Sequence, residues 1–321
     1  MISTPSRSLL PAKEYSGDLE GPLVLLAHAL RRKGEAVPVG WVEDTVESLR
    51  SGRMLALISA VDGRVGGLLI HTTRRGRAFT HLFLTSVGDP ELDALPLIRS
   101  LIATYSENLR RIDLTFSAVL ARTEEEIRRQ FPTWGLPFRF LERQRMSRTL
   151  DSATPPPQPP LPSGFRFGSA TDFPVSLLAA VDFSAFEDSP DRGLVAESVE
   201  EDERILTDIL AGELSPFLKD GSPSVIQVFD GGGESLLGFV LSVELTPGNA
   251  LIVDVALLLE SRGRGVGYAL LSRALRGLLA RGIREVALWV TLENVAAIHL
   301  YEKAGFRVIQ KEPIYIWEAS R

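Results

Sequence analysis

The sequence contains no cysteine and only four histidines. The lack of cysteine excludes disulfide bonds, thiolate metal ligands and a cysteine nucleophile. No two histidines have a metal-ligand spacing such as HExxH, so we expect no bound metal. The longest apolar stretch, residues 250–259, is interrupted by Asp254. It is far shorter than the ~18 residues that a membrane span requires, so we expect no membrane association.

Excess basic charge is also lacking, since the formal net charge is −6 and the sequence pI is about 5.4. A nucleic-acid-binding domain usually has a pI above ~9 and a concentrated basic face, so we expect no nucleic-acid partner. Pro5, Pro11, Lys13 and Glu14 stand where a secretory signal would be apolar. We therefore expect a cytoplasmic protein.

A proline-rich segment divides the chain near its middle. Residues 151–163 read DSATPPPQPPLPS, a composition that predicts a stiff, extended linker. We therefore predict one domain over residues 1–150 and a second over residues 164–321. Both segments show the same predicted order of helices, hairpins and strands, which indicates two copies of one α/β fold. Each copy is expected to be a mixed β-sheet covered by helices.

A glycine-rich turn follows a buried strand in the second half and opens a helix. Residues 259–271 read LESRGRGVGYALL. Glycines let the backbone approach a ligand closely, and the free N–H groups of a first helical turn attract phosphate. The spacing does not fit the dinucleotide pattern GxGxxG/A, and the sequence has no Walker-type GxxxxGK[ST]. The turn is either a tight strand-to-helix connection or a pyrophosphate site.

A second motif lies further along the chain, where residues 294–306 read NVAAIHLYEKAGF. Together with the pattern Arg262-x-x-Gly265-x-Gly267, it resembles the GNAT superfamily of N-acetyltransferases over roughly residues 164–318. The resemblance implies a twisted mixed sheet whose fourth and fifth strands separate to admit the pantetheine arm of coenzyme A. It also implies acetyl-CoA as co-substrate and an amine as acceptor.

The resemblance assigns roles to individual residues. The predicted pyrophosphate-binding turn comprises Arg262, Gly263, Arg264, Gly265, Val266, Gly267 and Tyr268. The backbone N–H of Leu257 would polarise the thioester carbonyl. The Leu257 side chain by itself indicates only a core residue. Asn294 is either only a helix N-cap or also a contact to coenzyme A. Tyr301 is either a packing residue or the general acid that protonates the departing thiolate.

The general base is less sharply indicated. Asp254 is the only charge in an otherwise apolar strand, and it is either a structural hydrogen-bond acceptor or a base whose pKa burial has raised. Glu244 on the neighbouring strand is the alternative, and either could act through a water. The lack of cysteine excludes a thiol acyl-enzyme, so we expect direct attack of the amine in a ternary complex. A non-catalytic acyl-CoA-binding or regulatory module is the alternative function.

The first half lacks these motifs. Its matching turn, residues 85–91, reads TSVGDPE, and its acids would repel a pyrophosphate. We therefore predict a degenerate GNAT-like domain there. In the second half, eleven acids and two arginines lie between Asp182 and Glu213. This acidic run is either a solvated helix face or the border of a site for a cationic amine, small or peptidic. The sequence leaves the oligomeric state open, a homo-oligomer included.

Overall fold

The computed structural model describes residues 5–33, 35, 37–74, 76–105, 109–194, 196–213 and 215–319. The chain folds into two units. The first comprises Met1–Glu142 and Glu312–Arg321, and the second comprises Arg143–Lys311. Each unit therefore includes a short segment from the opposite half of the sequence. Residues 150–163 contain neither helix nor strand. Within the described residues, no helix is both long enough and apolar enough to cross a membrane.

The regular elements follow in chain order. The first half contains β1 (Arg7–Pro11), α1 (Glu20–Arg32), α2 (Trp41–Ser51), β2 (Leu55–Val61), β3 (Arg64–Arg74), β4 (Arg77–Leu84), α3 (Leu95–Tyr105), β5 (Arg111–Ala118), α4 (Ala121–Gln130) and β6 (Phe138–Thr149). The second contains β7 (Phe165–Ser169), α5 (Val175–Ala185), α6 (Val199–Leu210), β8 (Pro223–Val228), β9 (Glu234–Thr246), β10 (Asn249–Leu257), α7 (Val266–Ala280), β11 (Glu285–Thr291), α8 (Val295–Lys303) and β12 (Arg307–Glu318).

The two units share one strand pattern. The first has the order β1-β2-β3-β4-β5-β12, and the second β7-β8-β9-β10-β11-β6. In both, the fourth and fifth strands are parallel, while the other neighbouring pairs are antiparallel. The predicted mixed sheets and the two copies of one α/β fold are confirmed. The sixth strand of each sheet comes from the other half of the sequence, because β6 pairs with β11 and β12 pairs with β5.

Helices cover both faces of each sheet and bury its core. In the first unit, α1 and α2 pack on one face and α3 and α4 on the other. In the second unit, α7 and α8 cover one face with an apolar cluster that extends into β6. Helices α5 and α6 cover the opposite face. The apolar side chains alternate along the strands, so each sheet contributes to two cores.

The parallel strands separate in the second unit but not in the first. Strands β4 and β5 pair over eight residues, from Arg77 opposite Arg111 to Leu84 opposite Ala118. Strands β10 and β11 pair only over Asn249–Ile252 and Glu285–Leu288. Beyond that point β10 continues to Leu257 and β11 to Thr291 without pairing to each other. The gap between them is the opening that the resemblance implies.

A β-bulge in β10 sets the direction of the side chains that follow it. The register passes from Ile252 opposite Ser242 to Asp254 opposite Leu241, so that Val253 is an extra residue. An extra residue reverses the alternation of side chains between the two faces. Val255 and Leu257 therefore join the core under α7 and α8, while Ala256 joins the core under α5 and α6. Asp254 is directed to the same face as Ala256.

Candidate active site

A cavity of about 610 Å³ lies in the second unit, between the end of β10, the glycine turn and the first turns of α7 and α8. Its volume is in the range of small-molecule sites. The residue types that line it are largely apolar or glycine, with a few polar groups among them. The predicted site residues that line it are Leu257, Arg262, Gly263, Gly265, Gly267, Tyr268, Asn294 and Tyr301. The structure therefore brings together most of the residues that the sequence indicated.

The glycine turn leaves backbone donors free at the start of α7. Gly263 and Gly265 have φ angles of 72° and 80°, in the left-handed region that favours glycine. Gly265 is the N-cap, and no side chain caps the helix. The first intrahelical bond is donated by the N–H of Ala269 to Gly265 O, at 3.1 Å. The amides of the preceding turn have no intrahelical acceptor, so they can bind an anion.

Gly267 leaves room beside this turn. A Cβ atom built on it would lie 3.4 Å from Leu257 Cδ2 and 3.5 Å from Leu300 Cδ2. An alanine would therefore fit as ordinary contact, but it would project between β10 and α8. The absence of a side chain keeps this part of the cavity open. Val266, in contrast, is fully buried in the core and contributes its backbone to the turn.

The two arginines of the turn have different surroundings. Arg262 lines the cavity, and its guanidinium donates from Nε to Leu257 O at 3.0 Å and from Nη2 to Ala185 O. It thereby fastens the turn to the ends of β10 and α5. Arg264 does not line the cavity; its guanidinium lies 4.8 Å from the centre of the Phe165 ring. The positive charge of Arg262 is thus nearer to the cavity than that of Arg264.

The backbone of Leu257 faces the gap between β10 and β11. The N–H of Leu258 donates to Leu237 O of β9, at 2.9 Å. Because successive N–H groups of a strand point to opposite sides, the N–H of Leu257 points away from β9. That side is where β10 has separated from β11. A carbonyl oxygen placed in the gap would therefore meet this donor.

Tyr301 lies in the cavity wall, and its side chain is buried. Burial is the main cause that raises the pKa of its hydroxyl, and the carboxylates of Asp191 and Asp254 raise it further. The guanidinium of Arg143 acts in the opposite direction. The hydroxyl is therefore protonated at neutral pH and can donate a proton. His299, one of the four histidines, is exposed at the rim of the cavity.

Asp254 belongs to a cluster of three carboxyl groups. The carboxyl of Asp182 on α5 lies within hydrogen-bonding reach of Asp254 and of Asp202 on α6. Burial, aided by the negative charge of Asp202, raises the pKa of Asp254 to about 7, against hydrogen bonds from Asp182 and the Val255 N–H. Burial also raises the pKa of Asp202 to about 6 and that of Asp182 well above its usual value. A carboxyl with a pKa near 7 is suited to accept a proton.

Glu244 lies away from these groups. Its Oε1 accepts a hydrogen bond from Gly248 N–H at 3.1 Å, in the turn between β9 and β10. It is opposite Ala250 in the register, and Ala250 is seven residues from Leu257 along β10. At ~3.3 Å per residue, roughly 20 Å separates the two ends of this strand. The structure therefore does not bring Glu244 together with the cavity.

Asn294 and a residue that the sequence analysis did not single out, Asp191, hold the loop between α5 and α6. Asn294 caps α8, since its Oδ1 accepts from Ala297 N–H at 3.2 Å. Its Nδ2 donates to Asp191 Oδ2 at 2.7 Å. Asp191 also accepts from the Thr291 hydroxyl at the end of β11. The N-cap interpretation of Asn294 agrees with this geometry, and Asp191 fixes the loop beside the cavity.

The acidic run between Asp182 and Glu213 divides into groups with separate surroundings. Asp182 and Asp202 are buried beside Asp254, and Asp191 ties the loop to β11 and α8. Glu201 accepts from Glu197 N–H at 2.9 Å, before the start of α6. The sequence signal for these roles was the density of acids alone, which does not distinguish one acid from another. That the remaining acids border an acceptor site stays a prediction.

The matching turn of the first unit is filled by the protein's own carboxylates. Asp89 Oδ1 accepts from the N–H groups of Glu91 and Leu92, at 2.9 and 2.8 Å. Asp93, which is fully buried, accepts from Asp89 N–H at 2.8 Å and from the Ser59 hydroxyl at 2.6 Å. The amides that would bind a pyrophosphate are thus already paired. In addition, β4 and β5 stay paired to Leu84 and Ala118, so no gap like that between β10 and β11 opens between them.

The sequence model of the acetyltransferase (GNAT) family matches residues 183–306. This range contains the glycine turn, the separated strands and Tyr301, so the chain carries a GNAT domain in its second half. A GCN5-related N-acetyltransferase from Sphaerobacter thermophilus matches with a TM-score of 0.63 and 19% identity, over 98% of this chain and 96% of that one.

A tandem GNAT protein from the clavulanic acid biosynthesis pathway matches with a TM-score of 0.54 and 16% identity, over 98% of this chain and 99% of that one. At these identities the likeness establishes the tandem fold. Among curated relatives, a mycothiol acetyltransferase from Frankia casuarinae is 29% identical over 188 residues, 54% of this chain and 50% of that protein. The chain spans from about a quarter to about half of the length of the curated relatives that it matches.

Proposed function

We propose that the second unit is an N-acetyltransferase that transfers an acetyl or acyl group from acetyl-CoA to a primary amine of a small molecule or peptide. The observation that supports this most is the continuity of the cavity. It extends from the free amides of the glycine turn to the gap between β10 and β11 and to Tyr301. An elongated ligand with a diphosphate at one end and a reactive group at the other matches this arrangement.

The residues present fit acetyl-CoA as co-substrate. The amides at the start of α7 would bind the pyrophosphate, with Arg262 beside them. Gly267 leaves the space between Leu257 and Leu300 open. When bound, the co-substrate supplies an acetyl thioester and a thiolate leaving group. No metal is needed for this chemistry.

Three groups of the chain would act on the reacting atoms. The Leu257 N–H donates a hydrogen bond to the thioester oxygen and stabilises the charge that develops there. Asp254 accepts the proton that the attacking amine releases, directly or through one water. Tyr301 donates its proton to the sulfur that departs. Attack and departure occur in one ternary complex, without an acyl-enzyme.

The geometry favours Asp254 over Glu244 as the base. Asp254 is close enough to Tyr301 to raise the pKa of its hydroxyl, whereas Glu244 is bound in the β9–β10 turn. A base with a pKa near 7 is half ionised at neutral pH and can both take up and release a proton. The neighbouring carboxyls of Asp182 and Asp202 provide a place to which that proton can pass.

The direct test is thiol release from acetyl-CoA in the presence of a panel of primary amines. We expect turnover with at least one amine, and we expect Tyr301→Phe to abolish it while coenzyme A binding, measured by calorimetry, is unchanged. The matched control is Tyr105→Phe, which removes a tyrosine hydroxyl in the first unit, away from the site. Binding without turnover across the panel would instead support the acyl-CoA-binding module, and absence of binding would refute both.

A further inference from the structure

The sheet face that carries Asp254 also carries two arginines of β6. Arg143 lies opposite Thr291 and Arg145 opposite Trp289 in the antiparallel register of β6 and β11. Directly opposite residues of an antiparallel pair point to the same face. Thr291 donates to Asp191 of the loop after α5, so this is the face covered by α5 and α6. Both guanidinium groups are therefore on the side of the sheet where Asp254 lies.

Among the residues that the structure describes, Arg145 has no partner for its charge. It is half-buried, and its Nε is buried without a hydrogen-bond acceptor. Across the ranges that the structure describes, it forms no ion pair within 4.0 Å. A buried donor that stays unsatisfied costs free energy, and an unpaired guanidinium costs more. Such a group is expected where an anion binds.

The surroundings of Arg145 suit a planar anion. The Trp289 side chain is half-buried directly across from it, and the guanidinium of Arg143 lies 6.0 Å from the centre of the Trp289 ring. Asp191, the carboxylate tied to the end of β11, is occupied by Thr291 and Asn294. An arginine fork binds carboxylate or phosphate through two parallel hydrogen bonds.

The register also gives the distance to the proposed base. Ile252, Leu288 and Met146 lie side by side on β10, β11 and β6. Arg145 is one residue beyond Met146, and Asp254 is two beyond Ile252 with one residue taken up by the bulge. The two side chains are thus level. Two strand spacings of ~4.8 Å amount to about 10 Å, and because β10 has separated from β11 beyond Ile252, the two strands are at least this far apart at Asp254.

We propose that the acyl acceptor carries a carboxylate or phosphate at least about 10 Å from its reacting amine, and that Arg145 binds this group. Arg143 and Trp289 form the rest of this anion-binding subsite. The inference rests on the proposed acetyltransferase function, because it places the amine at Asp254. It extends the expectation of an amine acceptor to an acceptor that also bears a negative group at a defined spacing. It assigns this recognition to β6, the strand that comes from the first half of the sequence.

The test compares acceptors that differ only in the distal group. Linear ω-amino carboxylates with about five to twelve carbons between amine and carboxylate are compared with their primary amides and with the matching aminoalkyl phosphates. We expect the best anionic acceptor to exceed its amide in kcat/KM by about 10- to 100-fold, the effect of hydrogen bonds to a charged group. Arg145→Gln should remove this difference by raising KM for the anionic acceptor alone.

Arg284→Gln is the matched control, because Arg284 is exposed at the opposite end of β11 and is outside the site. Equal kcat/KM values for carboxylates, phosphates and amides would overturn the inference, and so would an equal loss for all three in Arg145→Gln. In either case, turnover itself would still uphold the proposed function. If no amine causes thiol release, the proposed function fails. Calorimetry of the same acceptors with the coenzyme A-saturated protein then tests the anion-binding subsite by itself. Anion-selective binding that Arg145→Gln abolishes would uphold the subsite, and its absence would refute it.

Discussion

The raised pKa of the Asp254 carboxyl leads to opposite predictions for stability and for activity. Its folded-state pKa is about 7 against an ordinary value of 3.8. A raised carboxyl pKa means that the folded protein favours the protonated form. The contribution of Asp254 to the free energy of unfolding is therefore present below pH 4 and is lost as the pH rises to 7. At 1.36 kcal/mol per pH unit, a difference of about 3 units corresponds to at most about 4 kcal/mol.

Asp254→Asn removes this loss, because the amide cannot ionise. The variant should therefore gain in free energy of unfolding relative to the wild type as the pH rises from 4 to 7, by up to about 4 kcal/mol. Urea unfolding of both proteins at intervals between pH 4 and 8 measures the difference. Asp230→Asn, in the exposed turn after β8, makes the same substitution outside the cluster. The neighbouring carboxyls of Asp182 and Asp202 titrate together with Asp254 and can reduce the size of the difference. The test is therefore whether the difference grows with pH.

Activity should follow the opposite course. The wild-type kcat/KM for the amine should rise through pH 7 as Asp254 ionises, and Asp254→Asn should lower kcat by about 10²- to 10⁴-fold and remove that inflection. A stability difference that is independent of pH would refute the burial argument. A variant that keeps both the rate and the inflection would refute the assignment of the base.

Further predictions concern the cofactor site. Gly267→Ala should raise the free energy of unfolding by about 0.5–1 kcal/mol through helix propensity, yet weaken coenzyme A binding by about 1–3 kcal/mol because its methyl enters the ligand's space. Urea denaturation measures the first effect and calorimetry with coenzyme A the second, on one preparation. Tighter coenzyme A binding by Gly267→Ala would contradict the assignment of the cavity to coenzyme A. Calorimetry should also give one coenzyme A per chain, because Asp89 and Asp93 occupy the matching amides of the first unit. A stoichiometry of two would contradict this.

Local signals predicted well the helices and the turn that surround the second-half cavity. The glycine turn, the helix after it and the helix that begins at Asn294 depend on residues that are close in sequence, and the structure has them where they were expected. The division of the chain at the proline-rich linker stays a prediction for independent folding. The exchange of the last strands between units was not predictable, because strand pairing across such separations leaves no local pattern.

The surroundings of Asp254 also depended on distant residues. The bulge at Val253 directs Asp254 toward α5 and α6, and alternation along an apolar strand does not reveal an extra residue. Asp182 and Asp202 stood among eleven acids, where solvated and buried carboxyls look alike. The sequence therefore left Glu244 open as the alternative to Asp254, and the fold separates the two residues.

A cut of the chain at the linker would separate each sheet from its sixth strand. A fragment that begins at residue 164 retains the glycine turn and Tyr301, but it loses residues 143–149 and leaves the backbone of β11 with an open edge. Open edges invite aggregation. The complementary fragment loses the partner of β5 in the same way. Deleting the first half would thus also remove a strand from the sheet that carries the glycine turn and Tyr301.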